Sequence, residues 1–83
     1  MESIPFPDDL VQAQRLWFAT YRELAAPRPR RTTALRRRLL ALSVRLQWHP
    51  FWSTPPGRGP GARVELRRLA RRQEQYERRS AAG

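Results

Sequence analysis

Apolar side chains recur along this chain with helical spacing. At roughly 100° per residue, Leu10, Ala13, Trp17, Tyr21 and Leu24 fall within one narrow arc flanked by Val11 and Phe18, while Gln12, Arg15, Arg22 and Glu23 face away. The pattern predicts an amphipathic helix over residues 9–26. Asp8 or Asp9 caps it, Gln12 completes a capping-box-like start, and it stops before Pro27. Trp17 and Tyr21 read as core, because aromatics at helical spacing in a small domain usually pack inward.

A second helix is predicted over residues 32–48, capped by Thr32 or Thr33 and ended where His49 precedes Pro50. Leu35, Leu39, Leu42 and Leu46 form one apolar stripe, and Leu40, Val44 and Trp48 form another on nearly the opposite side with Ala41 at its margin. A helix apolar on two faces is either the centre of a bundle or keeps one face for another chain. In three helices the central position is the plainer account, with a homodimer or partner seam as the alternative. Residues 49–61 are too rich in Pro and Gly for a regular element. Phe51 and Trp52 should tuck against the helices, with 54–61 as a looser strap. A third helix over residues 62–79 carries the stripe Ala62, Leu66, Leu69, Gln73 and Tyr76, and residues 80–83 should fray. The expectation is one all-α, three-helix domain over residues 1–83, with a Pro/Gly/aromatic-rich connection between its second and third helices.

Charge changes this picture most. All 17 basic residues are arginine, and 15 of them lie at or beyond Arg28. Residues 1–27 hold two arginines against four carboxylates, a net of −2, and the remainder carries +12. The absence of Lys and Asn is what a GC-rich genome imposes. That bias does not explain the absence of any Asp or Glu between Ala25 and Val64, so the segregation of charge is the signal. A positive surface of this size meets something anionic. At 83 residues the chain buries only a little above ~60% of its unfolded surface, and without Cys it has neither disulfide nor thiolate metal site. The opening Met1-Glu2-Ser3-Ile4-Pro5 lacks the basic and apolar regions of a secretory leader, and no apolar run is long enough to span a bilayer. A cytoplasmic protein without integral membrane association is expected.

Parts for catalysis are scarce. His49 is the only histidine, Ser43 and Ser53 lack a nucleophile-elbow context, and Gly57, Gly59 and Gly61 are interleaved with Pro60 and followed by no Lys. No catalytic residue, metal ligand set or cofactor is therefore assigned. The strongest candidate site is the entry to the second helix. Arg28, Arg30 and Arg31 precede Thr32 and Thr33, and Arg36, Arg37 and Arg38 follow within two turns. Cations at a helix N-terminus cost about 0.3–1 kcal/mol each, and a bound phosphate or carboxylate reverses that sign. Arg67, Arg68, Arg71 and Arg72 offer a second basic face on the third helix. Nucleic acid, held mainly through its phosphates, is the expected partner. The alternative is a protein-interaction adapter or homo-oligomer, in which Leu40, Val44, Trp48, Phe51 and Trp52 dock an acidic protein or a second copy.

The run Leu39-Leu40-Ala41-Leu42-Ser43-Val44, followed by Trp48-His49-Pro50-Phe51-Trp52, resembles short arginine-rich proteins of actinobacterial type that carry no assigned function. The resemblance implies a bacterial protein and assigns no role to any residue.

Overall fold

The computed structural model describes residues 4–27 and 31–82. They form three helices and no strand: α1 (Asp8–Ala25), α2 (Thr32–Gln47) and α3 (Ala62–Ala82). Two short 3-10 turns, Pro50–Ser53 and Pro55–Gly57, lie between α2 and α3. No described helix is long and apolar enough to cross a membrane.

α1 is the central helix, not α2. It packs against both α2 and α3, whose backbones do not approach each other among the described residues. The reason lies in the width of its apolar face. Leu10, Val11, Ala13, Gln14 and Thr20 are all buried, an arc of about half the helix circumference at roughly 100° per residue. α2 runs antiparallel to α1, with His49 beside Asp9 and Ser43 beside Trp17. α3 runs in the same sense as α1, with Leu66 beside Leu10 and Glu74 beside Arg22. Two helices leaning on a third without meeting make a flat body of 42 × 34 × 18 Å.

Several expected details differ. The N-cap of α1 is Pro7, with no side-chain cap bond, and the Leu10 and Val11 N–H groups donate to the Pro7 carbonyl. Asp8 and Asp9 sit inside the first turn, where their charge complements the dipole. With the cap at Pro7 the N3 residue is Leu10, so Gln12 is out of register for a capping box. The N-cap of α2 is Arg31, and neither Thr32 nor Thr33 caps from its place inside the first turn. Arg31 has φ 56°, in the left-handed region. For a side chain with a Cβ that conformation costs about 1–2 kcal/mol.

On α2 only Leu35 and Leu42 are buried, with Leu39 and Leu46 half-buried, so the first leucine stripe faces α1. The second stripe is open: Leu40, Val44 and Trp48 are 66, 50 and 75% exposed. On α1, Tyr21 is exposed rather than core, and stacks on half-buried Trp17 at 5.4 Å between ring centres. On α3 the buried stripe is Ala62, Leu66 and Ala70 with Leu69 at its edge, while Gln73 and Tyr76 are exposed. α3 continues to Ala82, three residues past the expected end, and Ser80 is helical.

The connection is better ordered than a loose strap. Phe51 joins Leu10, Val11 and Leu66 in the core, and Ile4, Phe6, Leu46, Trp52 and Leu69 pack around them. His49 braces this turn. Its Nδ1 accepts the Phe51 N–H at 3.1 Å, which leaves the proton on Nε2 to be donated to Asp9 at 2.8 Å. Thr54 donates its hydroxyl to the Phe51 carbonyl at 2.6 Å, and its own carbonyl accepts the N–H groups of Gly57 and Arg58.

Candidate functional site

The entry to α2 does not gather its arginines around one point. Arg31, Arg36, Arg37 and Arg38 are all exposed. Successive residues turn by roughly 100°, so Arg36, Arg37 and Arg38 radiate around the helix. Arg28 and Arg30 lie outside the described residues. Arg36 shares the face of α2 that carries Ser43 and Gln47, whereas Arg37 heads the exposed stripe of Leu40, Val44 and Trp48.

The basic face expected on α3 splits in two. Arg68 turns outward and donates to Glu65 at 3.1 Å, and Arg72 is exposed on the same outer side. Arg67 and Arg71 lie further round the helix, in register with Arg63 four residues earlier. These three line a cleft of about 480 Å³ that opens where α2 and α3 fail to meet. Its floor is α1, with Gln14, Trp17 and Phe18, and its α2 wall includes Ser43 and Gln47. Trp52 closes one end. Arg63 lies over the Trp52 ring at 4.6 Å and Arg71 over the Phe18 ring at 4.9 Å. Arginines that stack on aromatic faces are held towards the cleft instead of sweeping freely through solvent.

The ring N–H groups of both cleft tryptophans are already committed. Trp52 donates to the Leu46 carbonyl, and Trp17 donates to Ser43 Oγ at 2.9 Å while Ser43 donates on to the Leu39 carbonyl at 2.8 Å. The rings are thereby fixed in orientation and present π surface rather than donors. Phe51 and Trp52 tuck against the helices as expected, and the alternative docking patch of Trp48, Phe51 and Trp52 is split between three places. Trp48 is exposed on α2, Phe51 is buried in the core and Trp52 lines the cleft. Phe51 is therefore a packing residue.

Carboxylates are distributed so as to leave α2 unneutralised. Glu65 engages Arg68, Glu74 engages Arg22 and Arg78, and Glu77 engages Arg15. Asp9 accepts from His49, and that hydrogen bond holds its carboxyl below the usual carboxylate range. No residue lining the cleft is acidic. Among the described residues there is no group of three His, Cys, Asp or Glu side chains that could hold a metal ion.

Residues 9–69 match a family described as a domain of unknown function, DUF8825. The chain belongs to that family. Neither a curated protein nor a solved structure matches it. The DUF8825 segment takes in α1, α2, the connection and α3 as far as Leu69, which is nearly all of the buried core and every cleft residue except Arg71.

Arg63, Gln14 and Gln47 are the cleft residues that the pattern of the sequence did not single out. The signal for Arg63 was its spacing of four and eight from Arg67 and Arg71. Nothing in the sequence marked Gln14, a polar residue inside an apolar arc.

Proposed function

We propose that this is a non-catalytic, cytoplasmic module that binds nucleic acid chiefly through phosphate contacts from arginine. The observation that carries the reading is the placement of charge. α2 and its cap bear Arg31, Arg36, Arg37, Arg38 and Arg45 with no acidic residue, while all three carboxylates of α3 are engaged by other arginines. Like charges crowded along one helix of so small a body, with no acidic residue on it, are relieved by a polyanion. The three cleft arginines extend the same basic surface onto α3.

The test is fluorescence anisotropy with labelled duplex DNA, single-stranded DNA and structured RNA across a salt series, for the wild type and for an Arg36→Ala/Arg37→Ala variant. The expected slope of log K against log salt is about −0.9 per phosphate engaged on duplex DNA, and the double variant should flatten it by about two phosphates. A variant that binds all three ligands with the wild-type slope would sink the reading.

A second reading rests on a different observation. Leu40, Val44 and Trp48, spaced four apart, form an exposed apolar stripe. Exposed stripes of this kind serve protein partners. The surrounding arginines disfavour pairing α2 with α2 of a second copy and favour an acidic partner. Leu40→Ser with Val44→Ser should abolish such an association and leave nucleic-acid affinity intact.

A further inference from the structure

We propose that the cleft between α2 and α3 takes one nucleotide unit, a flat heterocyclic base carrying a phosphate, with the base edge against Gln14 and the phosphate against Arg67. The inference rests on the nucleic-acid reading and extends it from phosphate contact to capture of an unpaired base.

Gln14 is the first reason. The residue is only 6% exposed and lies on the cleft floor, yet its side chain makes no hydrogen bond among the described residues. Among the described residues no buried side-chain polar atom is wholly cut off from both partner and solvent, so the Gln14 carboxamide keeps some access to solvent. A carboxamide held there supplies a donor and an acceptor side by side, which is what the edge of a base requires. A ligand that satisfies both would gain the hydrogen bonds that the chain itself does not supply to Gln14.

The walls are the second reason. Trp52 with Arg63 and Phe18 with Arg71 form two arginine-on-ring pairs. Bases stack both on aromatic rings and on guanidinium planes. Arg67 lies between these two arginines and is engaged with neither a ring nor a carboxylate among the described residues, which leaves its guanidinium for a phosphate. An acidic peptide would satisfy the arginines and make no use of the rings. At about 480 Å³ the cleft falls within the ~300–1,000 Å³ of small-molecule sites and excludes a duplex.

The chemistry is shared by a free mononucleotide and by a residue of a single strand, so the experiment carries both. Anisotropy would compare a labelled oligonucleotide of roughly eight nucleotides with an abasic strand of the same length, with adenosine monophosphate and an oligoglutamate as competitors. Roughly ten-fold tighter binding of the base-bearing strand is expected. Gln14→Met should remove most of that difference without changing affinity for the abasic strand, and Arg67→Ala should weaken both. Circular dichroism checks that each variant folds, and the comparison of strands on the unaltered protein needs no variant. Equal affinity for the two strands overturns the cleft proposal and leaves phosphate binding standing. Binding of adenosine monophosphate, seen as tryptophan quenching, with no binding of either strand upholds the cleft and overturns the nucleic-acid reading. Displacement by oligoglutamate as effective as that by the mononucleotide overturns the cleft proposal, and failure of every ligand to bind overturns both.

Discussion

At Gly57 the chain passes so close to Phe51 that a Cβ would run into the Phe51 carbonyl, although the glycine's φ is not positive. The constraint is one of space, and Phe51 is part of the core that cannot give way. Gly57→Ala should therefore lower stability by about 1–3 kcal/mol, read as a shift in denaturant midpoint, whereas Gly59→Ala, with nothing near its Cβ, should be close to neutral. The Asp9–His49 contact makes a second prediction, in pH. Asp9 has its carboxyl depressed in the folded state, so its contribution is present above the ordinary carboxylate value and is lost as pH falls through the folded one. The melting temperature of Asp9→Asn should lie below that of the wild type near neutral pH, and the gap should close on the acid side, as pH falls through the depressed carboxylate value. A gap that persists there would show that the hydrogen bond does not depend on the carboxylate charge. Both positions escape a reading by composition. His49 was legible only as a residue before proline, and its two ring contacts join Asp9 and Phe51, which are 42 positions apart in the chain.

Among the elements, α3 is unusual in being secured by two different means along its length. From Ala62 to Ala70 it buries apolar side chains against α1, and beyond Ala70 no described apolar side chain is buried. The later turns are tied to α1 by Glu74 to Arg22 and Glu77 to Arg15. Exposed ion pairs contribute little and are screened by salt, so this half of the helix should open more readily. Hydrogen exchange should show amides after Gln73 exchanging faster than those of 66–70, and raising salt from ~0.1 to ~0.5 M should widen the difference. Equal protection along the helix would contradict this division of labour. The existence and order of all three helices were legible from periodicity, because apolar spacing and the Pro27 and Pro50 breaks are local properties. The caps were not. Asp and Thr were expected to cap because of their chemistry, and the chain enters both helices one residue earlier, at Pro7 and at Arg31.

For the molecule as a whole, a net charge of +10 on 83 residues means that folding concentrates positive charge. Bound anions should stabilise the native state by mass action. At a concentration about 100 times its Kd, a multivalent anion such as pyrophosphate should add about 2.7 kcal/mol, seen as a rise in melting temperature beyond that given by chloride at equal ionic strength. Identical rises for the two salts would reduce the arginines to diffuse charge. The flat shape bears on the same question, because it leaves the α2 and α3 faces open on either side of the cleft instead of closing them into a bundle.

The sequence by itself determined an all-α chain, the three helical segments and the separation of charge between its first third and the rest, since each of these is a matter of local spacing and composition. Which helix stands at the centre was decided only by tertiary structure. Periodicity fixes the angle at which a side chain leaves its helix and says nothing of what lies in that direction. The two stripes of α2 were visible as two stripes, but only the packed fold left one of them bare. The broad arc of α1 served two neighbours, and by holding them apart it opened the cleft where Gln14, Trp52 and the arginines of α3 meet.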